Sequence, residues 1–263
     1  MHTLRYIVKN WGIGLKVLFA RPASTIAGGI AIAAGAILQV LFCFALIMAP
    51  ENSAGNNIGT ELFLYLGFWQ IANSLYGIFF AWAHDRMSEV ILDGGLDFML
   101  LRPLNTFVSL SFAELDVSSM FSLPVGLVLV IYSVNTLGIT LPFLAVMHIV
   151  LYVIIAAVLI FLLLNAAALT SIFSEGLADV MDLAVSWTEF GSRPAKKYKK
   201  PVSTVINGII PLAAALNLPA LFVEQGSLHF ADIFAVLICL GVFIVLNLIL
   251  WKLGFKRYNS ASS

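Results

Sequence analysis

The sequence predicts an all-α integral membrane protein, and three observations carry that prediction. Of its 263 residues 61% are hydrophobic, only 11% are charged, and the mean hydropathy is +1.00, a composition far from that of a soluble domain. Uncharged runs of about twenty residues recur, the length a helix needs to cross ~30 Å of hydrocarbon. The basic residues cluster in alternate segments between those runs, the signature of short loops sorted by side. Formal net charge is zero, which argues against nucleic acid as a partner. Cys43 and Cys239 both fall inside apolar runs and read as small hydrophobes rather than as a disulfide or metal site.

In chain order, residues 1–21 come first, mixed in character and unlike a signal peptide. Leu4, Val8, Trp11, Leu15 and Leu18 share one helical face and Arg5, Lys9 and Lys16 another. This is the pattern of an amphipathic helix in the membrane interface, with its tryptophan among the headgroups. Spans follow at about 23–48, 62–83, 112–134, 141–169 and 232–253. In the first of them Ala23, Ala27, Ala31 and Gly35 recur every four residues, a smooth stripe that lets another helix approach closely, either at a subunit contact or, more often, within one subunit. Arg5, Lys9, Lys16 and Arg21 precede the first span, Arg86 and Arg102 lie between the second and third, and Lys252, Lys256 and Arg257 follow the last. Both termini and the 84–106 loop are therefore expected on the cytoplasmic side, which requires an even number of crossings.

A sixth span must then lie within 170–223, and two layouts satisfy the count. If residues 201–223 cross, all fourteen basic residues stand on one side. If residues 171–191 cross, the lysine cluster of 192–200 faces outward and the proline-broken stretch 201–226 dips into the outer leaflet. Hydropathy favours the first layout, since Glu175, Asp179 and Asp182 are costly against lipid. Their spacing nevertheless puts them on one helical face that can turn inward. Pro211 and Pro219 burden a plain span at 201–223, because each removes a backbone donor.

The loop after the second span carries the densest chemistry. "DRMSEVIL" reads as a short polar helix ended by Gly94 and Gly95. "LDFMLL" reads as a second short helix, with Leu96, Met99 and Leu100 on one side and Pro103 at its end. Apolar groups on a cytoplasmic protrusion either rest on the inner headgroups or call for a covering partner, and Asp93, Asp97 and Arg102 tilt the reading toward a docking surface. Within the spans, Gln39, Gln70, Asn73, Asn165 and Asn247 are the polar residues set deepest. Such groups usually bond one helix to another, with pathway contact as the sharper alternative. Glu114 and Asp116 fit the inner interface, because residues 117–134 supply enough length for a span by themselves, and a turn or two deeper they become candidates for a cationic substrate entrance. His84, His148 and His229 have no partner at ligand spacing, so no metal is assigned. There is no GxSxG or HExxH motif and no catalytic signal.

The stretch "SEVILDGGLDFMLLRPLN" resembles the cytoplasmic loop after the second span in permeases of type 2 ABC exporters. In particular it resembles a bacterial subfamily with the pattern G-x-L-D-x-x-L-L-R-P-L, matched by Gly94 or Gly95, Leu96, Asp97, Leu100, Leu101, Arg102, Pro103 and Leu104. The ending "WKLGFKRYNSASS" is similar to that subfamily's W-x-x-G-L-R-R-Y-x-S-A-S, with Trp251, Gly254, Arg257, Tyr258, Ser260, Ala261 and Ser262 in place. The stretch "RPAKKYKKPVSTVINGIIPLAAALNLPALFV" is similar to the proline-punctuated stretch between the fifth and sixth spans. The acid-rich 175–189 segment departs from the family pattern, which is usually more apolar there.

The resemblance implies a six-span permease with cytoplasmic termini in a bacterial cytoplasmic membrane, with 171–191 as the fifth span and 201–226 as an outer re-entrant piece. It also implies active export by two permeases, identical or related, with separate ATP-binding cassette ATPase subunits below. ATP and Mg then belong to the ATPase and no cofactor to this chain, which lacks the GxxxxGKS/T phosphate loop. Residues 84–105 become coupling helices seated in the ATPase, with Glu89, Asp97 and Arg102 as polar contacts and Leu96, Met99 and Leu100 as buried anchors. A membrane scaffold or sensor anchoring a cytoplasmic partner through the same loop, or a passive channel, needs the same spans. No residue chooses a substrate.

Overall fold

A computed structural model describes residues 2–48, 56–82, 84, 97, 101, 105–112, 114–170, 173, 179–193 and 215–257. These residues form helices and turns, with no strand among them. In chain order they are α1 (His2–Ala20), α2 (Pro22–Met48) and α3 (Asn56–Tyr76), the last prolonged by a π-helical turn at Gly77–Ala81. Then come α4 (Thr106–Ser111), a 3-10 turn (Val117–Ser122) running into α5 (Leu123–Thr136), and α6 (Phe143–Thr170). The chain closes with α7 (Asp179–Thr188) and its 3-10 extension (Glu189–Ser192), α8 (Leu218–Gln225) and α9 (Phe230–Arg257).

Among the described residues five stretches are long and apolar enough to cross a membrane: Pro22–Ala45, Gly59–Ala81, Val117–Thr136, Phe143–Thr170 and Phe230–Gly254. The third begins later than hydropathy alone suggests, and the reason is local. Asp116 caps the 3-10 turn, its carboxylate accepting from the Ser118 N–H at 3.0 Å and from the Ser119 hydroxyl at 2.6 Å. Its own N–H donates to the Ile78 carbonyl at 3.0 Å. The acid thus ends one segment and starts the next, while Glu114 stays exposed.

α3 and α6 form the centre. Residues 64–70 of α3 and 159–169 of α6 are buried without interruption, as expected of helices covered on every face. α6 packs on α3, α7, α8 and α9, and α3 packs most extensively on α5. At that crossing Gly67 meets Gly126: a methyl group on Gly126 would stand 2.9 Å from the Gly67 carbonyl oxygen and 2.8 Å from Ile71. Backbones in lipid approach this closely only through small residues.

α2 and α9 leave much of their apolar surface uncovered by the other described residues, with Ile30, Leu38, Leu41, Leu237 and Leu248 all exposed. The structure departs here from packing of the alanine stripe within the subunit, leaving the subunit contact as its other reading, and from a tryptophan set among the headgroups. The stripe Ala23, Ala27, Ala31 and Gly35 lies on the exposed face of α2, whereas α2 docks on its own chain through Gly29, against Phe121, and Gly28, against Ser118. In α1, Val8 and Leu15 are exposed, while Trp11 turns inward, its ring 5.2 Å from Phe79 and 6.1 Å from Phe112. A helical face can be read from spacing, but its neighbour cannot.

Thr188, at the end of α7, accepts a hydrogen bond at 2.7 Å from the Trp69 indole N–H, close to the middle of Gly59–Ala81. Gly191 is pressed between Trp69 and Leu216, so the 3-10 extension also runs beside mid-α3. Asp182 is exposed and Ala184 buried, which turns that acid away from the core. The tail motif from Tyr258 onward, Glu175, Pro211 and residues 194–214 lie outside the described residues.

Replacing Gly126 with valine is expected to force α3 and α5 apart and to cost about 1–3 kcal/mol, the range for overpacking a filled core. Thermal unfolding of the purified chain in detergent measures this, and an unchanged midpoint contradicts the close crossing.

Candidate functional site

The two ends of the 84–105 loop come to one place. His84, which begins it, is almost fully buried, with its ring 5.6 Å from Tyr76 and 5.5 Å from Phe161, near parallel to both. Phe107, just past the loop, packs edge-on to Phe161 at 6.3 Å and to Trp251 at 5.3 Å. Phe161 of α6 is therefore a common floor. α4 starts there because Asn105 caps it, its side-chain oxygen accepting from the Val108 N–H at 3.2 Å.

Beneath the loop runs a chain of buried hydrogen bonds whose direction can be deduced from its far end. Asn247 Nδ2 donates to the carbonyls of Leu162 at 2.8 Å and Phe243 at 2.7 Å, so its Oδ1 faces Asn165. Asn165 Nδ2 donates to that oxygen at 2.6 Å, which leaves Asn165 Oδ1 as acceptor. His84 Nε2 lies 3.2 Å from it and must carry the proton. In the neutral ring Nδ1 then accepts from the Tyr76 hydroxyl at 2.8 Å. His84 stands three residues beyond the apolar span, and burial pushes its pKa down to about 4, with the Asn165 bond opposing. The ring is neutral near pH 7. One relay thus ties the start of the loop to α6 and α9.

The loop residues themselves are mostly outside the described set: Glu89, Gly94, Gly95, Leu96, Met99, Leu100, Arg102 and Pro103 all lie there. Asp97 is described and helical, its carbonyl accepting from the Leu101 N–H at 3.2 Å, and Leu101 is 82% exposed.

The five deep polar residues separate into two groups. Asn165 and Asn247 bond to each other and anchor the relay. Gln39, Gln70 and Asn73 form no side-chain hydrogen bond among the described residues, and all three line a partly open cavity of about 350 Å3 between α2, α3 and the 3-10 turn. A second cavity, about 300 Å3, continues from it and shares Gln39 and Trp69 as lining. Glu189 and Arg193 border this second part, the Arg193 guanidinium carbon 5.7 Å from the centre of the Phe42 ring. Together the cavities make a trough along α2. His84 and the trough had no sequence signal of their own, since the histidine's acceptor is 81 residues away.

A family model described as ABC-2 family transporter protein matches residues 34–262. The chain belongs to that family. This ABC-2 transporter protein is accordingly a multi-pass membrane protein and a component of transport, not itself catalytic, from a family that normally works with ATPase subunits. A search of the curated proteins and one of the solved structures found no match.

Replacing Asn165 with leucine should strand the His84 N–H and one side of Asn247 in an apolar setting. The expected loss is about 1–3 kcal/mol, read as a lower unfolding midpoint that Asn165→Gln partly restores. A midpoint unmoved by leucine contradicts the relay.

Proposed function

We propose that this chain is the membrane-spanning subunit of an ATP-driven exporter in a bacterial cytoplasmic membrane, and that work enters it through residues 84–105. The observation that carries this reading is the double seating of that loop. Its first residue is hydrogen-bonded through Asn165 to α9, and the helix that follows its last residue rests through Phe107 on Phe161 and Trp251, so a push on the loop acts on α6 and α9 together. A loop held only by a flexible linker would absorb the push.

In this reading a separate ATPase grips the loop, with Glu89, Asp97 and Arg102 as polar contacts and Leu96, Met99 and Leu100 as anchors, framed by Gly94, Gly95 and Pro103. Closure of the ATPase pair on ATP moves the loop and tilts the permease from inward- to outward-facing. A second permease, a copy or a relative, covers the exposed stripe of α2 and the trough beside it. Gly35 belongs to both. Polar amides open toward lipid are costly, and a facing permease turns them into the wall of a pathway.

In the six-span layout of this reading 171–191 belongs to the fifth crossing, and the contact of Thr188 with Trp69 supports the entry of that segment into the bundle as far as mid-span. It keeps both termini cytoplasmic and makes 201–226 an outer re-entrant piece.

Changing Leu100 to Ala and Arg102 to Glu together is expected to abolish transport and co-purification of the ATPase while membrane insertion stays intact. Undiminished capture of the ATPase by that variant overturns the assignment. A partner retained without any response to nucleotide points instead to a scaffold.

A further inference from the structure

The first cavity of the trough has a chemistry that selects among ligands. None of the described side chains that line it is charged. Several of its polar groups are already engaged: Ser74 and Ser122 share a hydrogen bond at 2.7 Å, Ser119 donates to Asp116 at 2.6 Å, and the Trp69 indole N–H is held by Thr188. Gln39, Gln70 and Asn73 are not engaged among the described residues. Gln70 is 5% exposed and sits midway along its span, where water is scarce and an unpaired amide is expensive.

Each primary amide presents a donor and an acceptor and no net charge. An ion entering here would shed its hydration without gaining a counter-charge. A purely apolar ligand would bury three amides without partners. An uncharged solute whose hydroxyls or amides both donate and accept meets neither penalty, and the flat face of Trp69 and the side chains of Ile32 and Ala36 suit an apolar edge or tail. The volume, about 350 Å3, falls within the range of small-molecule sites. The charged residues of the trough, Glu189 and Arg193, are opposite in sign and border only the second cavity.

We propose that the cavity lined by Gln39, Gln70 and Asn73 binds an uncharged, hydrogen-bonding head group such as that of a glycoside, and rejects anionic and cationic heads of the same size. The inference deepens the transporter reading and rests on it for its biological meaning. Its test needs no ATPase, so a failure of coupling and a failure of binding are separately visible.

The full chain, with Cys43 and Cys239 changed to alanine and Ile32→Cys added, is placed in lipid nanodiscs. The rate at which a membrane-permeant maleimide labels position 32 is then measured. Octyl glucoside, below its micellar concentration, is expected to slow labelling at least threefold. Octyl sulfate and octyltrimethylammonium should leave the rate unchanged. Adding Gln70→Leu and Asn73→Leu should remove the protection, and Asn73→Gln should keep it. Equal effects of the three probes, no protection by the glucoside, or protection that survives both leucines overturns the proposal. Should the leucine variants misfold, the three-probe comparison on the Ile32→Cys reporter, with Gln39, Gln70 and Asn73 intact, still decides it.

Discussion

The hydrogen bond from His84 to Asn165 is the constraint on which the arrangement of the loop end depends. A histidine at the mouth of an apolar bundle has to be neutral and paired, and here one acceptor does both tasks by accepting from Nε2 and fixing the tautomer. Because Asn165 is itself held by Asn247, and Asn247 by two backbone carbonyls, the geometry at the loop is set by the α6–α9 pair rather than by the loop. Such a network has high stakes: complete, it is rigid, and lacking any one member it strands the others.

A contrast between two kinds of polar group runs through the membrane-spanning part. At the loop end the amides of Asn165 and Asn247 are both engaged, and they tie α6 to α9. Along α2 and α3 the amides of Gln39, Gln70 and Asn73 have no partner among the described residues and line a partly open cavity. Polar groups that serve only to hold helices together would be expected to find one another, as Asn165 and Asn247 do. The close crossing of α3 and α5 at Gly67 and Gly126 keeps this cavity wall in place without help from those amides.

The apolar spans were legible because hydropathy is a sum over many residues and tolerates local exceptions. Boundaries were less so, since one capping residue, Asp116, reset the start of the third. The five polar residues were visible as a class, but their division into paired and unpaired depends on which helices become neighbours, and residue spacing does not carry that. His84 was passed over for the same reason. Its partners lie on α3 and α6, and the second of these is distant in the chain. Trp11 and the alanine stripe show the complementary limit: periodicity identified a face in each case, while the contacts formed by other residues decided which way it turned. Where the fold is made by an ABC-2 transporter chain, the family match and the apolar runs agree on a membrane bundle, and the side-chain bonds add the route by which its ends are joined.

The most direct measurement of that route is a distance, taken by electron spin resonance between labels at position 101 in the loop and position 230 at the far end of α9. Both sites are exposed. In the complex with its ATPase, trapping with ATP and vanadate should change this distance in the native sequence. In Asn165→Leu the change should be lost while the ATPase remains bound. A distance that is indifferent to nucleotide in the native chain, or that changes equally when Asn165 is leucine, contradicts transmission through the relay.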